Sequence, residues 1–154
     1  DLKQNQIIHE SYISRDPKNK TRFLSLPGES LSEEEKEDMK WAKSTFTKEK
    51  SFLHKYSLCS VEIHTGRTHQ IRAQAKELGF PIVGDTVYNT SRTLPQTLTK
   101  GLKSAIEKTQ RQMLHAQKLG FIHPESKEYI EFEAKLPSDF SRLLKTLEPF
   151  EIAQ

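Results

Sequence analysis

The stretch "VEIHTGRTHQIRAQAKELGFPIVGD", from Val61 to Asp85, decides how the chain is read. Cys59, Val61 and Ile63 share one face and Ser60 and Glu62 the other, which is the period of a strand. Thr65-Gly66 makes a turn. Ile71, Ala75 and Leu78 then recur at i, i+4 and i+7, the stripe of an amphipathic helix, and Gly79 supplies its stop. The pattern predicts that Thr68 caps this helix and that its first turn and a half carries Arg67, His69 and Arg72. Arg72 is expected about 100° round from Ile71, off the core face. Cationic groups are out of place at a helix start, where unpaired N–H groups already make the end positive. Each costs about 0.3–1 kcal/mol at low salt unless an anion faces it. That anion is either a phosphate of a ligand, which free N–H donors also favour, or a buried carboxylate of the same protein. Asp85 ends a short apolar strand, "PIVGD", and reads as a turn cap for local N–H groups rather than as a nucleophile.

Upstream, "QIIHESYI" alternates weakly, and "RDPKNKTRFLSLPGES" reads as a turn, a strand and a second turn. In "LSEEEKEDMKWAK" the pair Ser32 and Glu35 forms a capping box, and residues 31–43 are expected to be an acidic, exposed helical insertion. "KSTFTKEKSFLHKYSLCSVEIHT" reads as two strands around a Lys-Glu-Lys turn. Downstream, residues 90–112 read as a loop and a weak helix interrupted by Gly101. "MLHAQKLGFIHPESKEYIEFEAKLP" has the shape of a hairpin turning at "HPESKE", its return strand alternating Ile130, Phe132 and Ala134 against Glu131 and Glu133. "PSDFSRLLKTL" places Phe140, Leu143, Leu144 and Leu147 on one side of a helix. Strands with interspersed helices and no repeat predict an α+β domain, with a mixed, mostly antiparallel sheet and flanking helices.

With 154 residues the chain is long enough for one domain with a core. A mean hydropathy of -0.73 and 29% charged residues predict a soluble protein, and no apolar run is long enough to span a membrane. No secretory signal is visible in the polar start, and the absence of an initiator Met reads as a piece of a longer protein. The single cysteine, Cys59, cannot form an internal disulfide and fits a reducing, cytoplasmic compartment. Net charge is +3, but from His64 to Gly120 nine Lys/Arg stand against three Asp/Glu. A basic middle of this kind is the footprint of polyanion binding or of a Lys-rich solvated face. His64 and His69 lie five apart with no Cys or carboxylate at ligand spacing, and neither a zinc motif nor a phosphate loop occurs. There is no nucleophile elbow of a Ser hydrolase.

The residues now resemble a known family. "TGRTHQIRAQAKELGFPIVGDTVY" closely resembles the signature of the RluA-type pseudouridine synthases, the RNA uridine isomerases. "MLHAQKLGFIHPESKEYIEFEAKLPSDFSRLL" resembles that family's closing segment, and "KWAKSTFTKEKS" the segment before its signature strand. The resemblance runs from about Lys40 to Leu147. It implies the pseudouridine synthase fold, an RNA substrate such as rRNA or tRNA, isomerisation of a specific uridine, and neither cofactor nor metal. The family's catalytic Asp lies in an H-R-L-D segment and its base-stacking Tyr in K-x-Y-x-A. Neither occurs here: "HESYISRD" differs from the first, and Tyr12 lacks the context of the second. Residues 1–154 therefore resemble the C-terminal portion of a single catalytic domain, lacking its N-terminal half.

Carried over residue by residue, Arg72 matches the basic group that ion-pairs the catalytic Asp, an acid the resemblance places outside this chain. Arg67, Thr68, His69 and Gln70 match the cluster expected to line the RNA approach, and Leu119 an apolar residue packing near the uracil. Asp85 matches a family position that is not the nucleophile. Gln74 stands where the family commonly has His, and is expected to substitute as a polar group. The competing expectation is a non-catalytic RNA-binding module derived from the same family.

Overall fold

In the computed structural model, which describes residues 2–90, 94 and 98–152, four strands of a five-stranded antiparallel sheet lie in the order β2–β1–β3–β4. These are β1 (Gln6–Arg15), β2 (Phe23–Leu26), β3 (Lys40–Phe52) and β4 (Tyr56–Ile63). β1 runs against β3 from Gln6↔Thr47 to Ile13↔Lys40. The helices are α1 (Glu33–Glu37), α2 (Gln70–Glu77), α3 (Lys100–Glu107) and α4 (Ser138–Leu147). β5 (Lys118–Ile122) and β6 (Tyr129–Glu133) form a separate hairpin, and β7 (Glu151–Ile152) pairs with the end of β3. Every pairing among the described residues is antiparallel, and the class is α+β as the alternation of strand and helix patterns predicts.

The expected acidic helix exists with both halves of its capping box: Ser32 N–H donates to Glu35 Oε2 (2.8 Å) and Glu35 N–H to Ser32 Oγ (3.2 Å). Its extent is corrected from 31–43 to Glu33–Glu37, because residues 40–43 already belong to β3. There Ala42 and Ser44 alternate into the interior at the two-residue period of a strand. The Lys-Glu-Lys turn is also corrected. β3 runs through Lys48–Lys50 with a bulge, and the chain reverses at Leu53–Lys55. Leu53 and His54 both adopt left-handed backbone (φ 57 and 52), without the Gly or Asn that would advertise such a turn. "PIVGD" is a turn, not a strand. Gly84 (φ +76) is needed there, since an added Cβ would stand 2.2 Å from the carbonyl oxygen of Arg111. Gly79 (φ +84) ends α2 as its position predicts.

Two kinds of packing hold the layers. Phe52, Leu98, Leu102, Leu143 and Leu147 form an apolar core joining α3 and α4 to the end of β3. Thr99 caps α3 through a hydrogen bond from Leu102 N–H (3.3 Å). Part of the loop before this helix, residues 91–93 and 95–97, lies outside the described residues. By contrast, α2 lies over β1, β2 and β3 on buried polar side chains: Ser11, Ser25, Ser44, Gln70 and Gln74. Gln74 is wholly buried and donates to Ser11 Oγ (2.9 Å). No described helix is long and apolar enough to cross a membrane.

Candidate functional site

The segment between β4 and α2 is wound around one side chain. Gln70 Oε1 accepts from Thr65 Oγ1 (2.8 Å) and from Arg67 N–H (2.9 Å), while its amide nitrogen donates to Lys43 O (3.0 Å) and Ser44 Oγ (2.9 Å). Gln70 is buried and its amide is saturated. The expectation that Gln70 lines the RNA approach is therefore corrected: it braces the turn from inside. Thr68 is exposed and does not cap the helix, because the chain reaches Gln70 through a left-handed His69 (φ 55, ψ 21) that occupies the cap position. Arg67 and His69 precede the helix rather than lie on it. Arg67 is exposed and donates from Nε to Trp41 O (3.0 Å).

The backbone of His69 is in a conformation that costs a non-glycine residue of order 1 kcal/mol or more, and the surroundings enforce it. Its ring meets Phe23 edge-on (centroids 5.5 Å, 76°) and Tyr88 likewise (5.8 Å, 83°). Tyr88 is buried; its hydroxyl accepts from Phe23 N–H (2.7 Å) and lies 3.1 Å from His69 Nδ1. With one lone pair engaged, the buried hydroxyl proton finds an acceptor in Nδ1. This assigns the Nε2–H tautomer to a neutral His69, with Nε2 having no partner among the described residues. Burial holds the imidazole below its ordinary pKa, the Arg72 charge adds to this, and Asp85 partly opposes it.

Arg72 resolves the conflict raised by its position. Nε donates to Asp85 Oδ2 (2.7 Å) and Nη2 to Asp85 Oδ1 (2.9 Å), a side-on bidentate pair. The Arg72 side chain is 13% exposed and that of Asp85 wholly buried, so Arg72 does not project off the core as expected. Its partner in the structure is an acid of this chain. Asp85 Oδ1 also accepts from the N–H groups of Val87 (3.0 Å) and Tyr88 (3.1 Å), the turn cap that its sequence context predicts. Burial alone would raise the Asp85 carboxyl. The Arg72 hydrogen bonds, the two N–H groups and the Arg72 charge outweigh it and keep the group below the usual carboxylate range. The Arg72 guanidinium carbon sits 4.9 Å from the centre of the Tyr88 ring. Nη1 has no partner among the described residues.

Leu119 is not drawn into this cluster. It stands 62% exposed on β5, opposite Phe132. A cavity of about 490 Å³ lies between the sheet and the helices, lined by side chains such as Phe46, Leu58, Ile71, Phe80 and Leu147. Asp85 borders it, whereas His69 and Arg72 do not, so the apolar cavity and the polar cluster are separate features. No group of three His, Cys, Asp or Glu among the described residues could hold a metal ion. Sequence reasoning missed Tyr88 and Phe23. The spacing of "GDTVY" carries a signal for the first, an Asp capping the N–H three residues on, but Phe23 reaches the site across 46 residues of chain with no local mark.

Comparison with known proteins adds three findings. The family model for RNA pseudouridylate synthase matches residues 4–77. Among curated relatives, RNA pseudouridine synthase 2, chloroplastic, of Oryza sativa subsp. japonica is 34% identical over 92% of this chain and 33% of its own length. Ribosomal large subunit pseudouridine synthase D of Neisseria meningitidis serogroup A is 44% identical over 64% of this chain and 25% of its own length. The chain thus spans about a third or less of the curated relatives it matches. Among solved structures, human RNA pseudouridylate synthase domain containing 4 superposes with a TM-score of 0.59 at 22% identity, covering 94% of this chain and 57% of the other. Domain containing 1, also human, gives 0.58 at 19%, covering 96% and 61%. At that identity the structural likeness concerns the fold.

Proposed function

We propose that this chain, which matches the RNA pseudouridylate synthase family model over residues 4–77 and is similar to ribosomal large subunit pseudouridine synthase D, forms the C-terminal portion of a catalytic domain that isomerises uridines in structured RNA, ribosomal or transfer, to pseudouridine. The observation that carries the reading is the Arg72 guanidinium, fixed by Asp85 through Nε and Nη2 with Nη1 uncommitted. A second carboxylate, supplied from outside this chain, would meet Nη1. A cation at that range favours the ionised form by about 1–3 pKa units. Asp85 keeps the guanidinium in place before that acid arrives, so the arrangement is preorganised.

The target uridine would leave its stack at a cost of a few kcal/mol. The bond from ribose C1′ to uracil N1 breaks with help from the carboxylate, the base turns, and C1′ joins C5. The proton lost from C5 and the one gained at N1 balance, so no net atom is exchanged. Arg67, Thr68 and His69 would face the incoming RNA, His69 as a neutral donor through Nε2–H. Leu119 would pack near the uracil, on a hairpin face that needs a covering surface. The free Cys59 thiol fits a reducing, cytoplasmic setting.

The test separates chemistry from folding. Arg72→Ala alone would bare a buried carboxylate, an effect worth about 3–5 kcal/mol. Combining it with Asp85→Asn removes that charge. In the longer protein, Asp85→Asn, whose amide oxygen still accepts one Arg72 hydrogen bond, should lower tritium release from uridine C5 only in part, while folded Arg72→Ala/Asp85→Asn should lose it. Normal turnover by the folded double variant would refute the role given to Arg72.

A further inference from the structure

The loop between β1 and β2, "RDPKNKTR" from Arg15 to Arg22, carries four cations and one carboxylate. It is an ordered loop: Asp16 N–H donates to Arg22 O (3.0 Å), Lys18 N–H to Asp16 Oδ1 (2.9 Å), and Arg15 Nη1 to Lys20 O (3.0 Å). Its one acid, Asp16, is buried and engaged by Arg22 Nε (3.1 Å). Arg15, Lys18 and Lys20 are exposed, and none has a carboxylate within ion-pair distance among the described residues. Three cations are thus held together with nothing to neutralise them.

Their position gives them a use. Arg15 places its guanidinium carbon 5.3 Å from the centre of the Phe23 ring, and Phe23 in turn abuts His69. Phe23 N–H is also tied to the Tyr88 hydroxyl, so the root of the loop and the tautomer of His69 share one anchor. Arg15 therefore stands one aromatic ring away from the His69 imidazole, and its Nη1 ties the Lys20 end of the loop to the same place.

We propose that the β1–β2 loop is a phosphate-binding site, with Arg15, Lys18 and Lys20 gripping the backbone of the RNA strand that flanks the nucleotide entering beside His69. This rests on the pseudouridine synthase reading only in taking RNA as the ligand.

The longer protein carrying Lys18→Ala and Lys20→Ala tests it, since both side chains are exposed. Tritium release from substrate RNA should show a raised KM with an unchanged kcat. The plot of log affinity against log salt concentration should become shallower by about 1.4–1.8, from 0.7–0.9 per lost phosphate contact. Lys135→Ala/Lys145→Ala removes the same charge from exposed sites elsewhere, and should move KM and slope much less. Equal effects from both pairs, or an unchanged slope in the loop variant, would overturn the site. If the parent protein makes no pseudouridine yet the loop variant still loses salt-dependent RNA affinity, the isomerase reading fails and the loop site stands.

Discussion

Arg72 and Asp85 form a pair whose energetics depend on its burial. Ionised carboxylates are rarely left in a protein interior without such a partner. Because the folded carboxyl lies below its unfolded value of about 3.9, the pair's stabilisation is fully present above that pH and is lost as pH falls through the folded value. Urea midpoints of the wild type should fall on acidification from about pH 5, and Asp85→Asn should flatten that fall. The difference should persist in high salt, unlike the contribution of the exposed Arg111–Asp139 pair; parallel curves for the two proteins would contradict it. His69 makes the complementary case. Its pKa is depressed, so protonation is resisted in the folded state, and stability declines as pH drops through the unfolded value near 6.5. Tyr88→Phe removes the hydroxyl donor to Nδ1. The His69 pKa should then rise, and its nitrogen NMR shifts should lose the Nε2–H pattern that the wild type shows at pH 7. A wild-type ring already charged, or protonated at Nδ1, would dismiss the tautomer.

Among the elements, legibility followed periodicity. α4 and the β5–β6 hairpin were readable because their apolar positions recur at helical and strand spacing over whole segments. β3 was not. Its alternation shifts at the Lys48–Lys50 bulge, and a charged Lys-Glu-Lys looks like a turn when the pairing partner is unknown. The start of α2 escapes the local pattern for a similar reason. A Thr in cap position is a strong local signal, yet tertiary contacts to Phe23 and Tyr88 hold the next residue left-handed and move the helix start to Gln70. The polar interface beneath α2 could not be read at all. Ser25 lies within hydrogen-bond distance of both Ser11 Oγ and Glu77 Oε2, and Glu77 also meets His9 Nε2 (3.0 Å). A serine has one proton, and the carboxylate is the stronger acceptor. The bonds then run in order from the Gln74 amide through Ser11 and Ser25 to Glu77. A helix docked by directional bonds has one angular setting on the sheet, which a purely apolar contact would not impose. The same setting aims Arg72 at Asp85.

For the molecule as a whole, the hairpin carries an apolar face that the described residues leave open. Leu119, Phe121, Ile130 and Phe132 share one face of β5–β6, with Phe121 and Phe132 stacked at 6.2 Å, and Leu119 and Phe132 more than half exposed. An isolated two-stranded hairpin is marginally stable in water at best, and an apolar face of this kind marks a surface that something covers. On the reading proposed above, the remainder of the catalytic domain supplies the cover; the chain spans about a third or less of the relatives it matches. Expressed alone, the 154 residues should show fast amide exchange across β5 and β6 while β1 and β3 stay protected. Phe132→Ser should then leave the unfolding midpoint of the isolated chain within about 0.5 kcal/mol of wild type, as surface changes usually do. The same substitution in the longer protein should cost about 3 kcal/mol or more, as loss of a buried aromatic does. Equal and small effects in both contexts would mean that the face remains open in the assembled domain, and would overturn the cover.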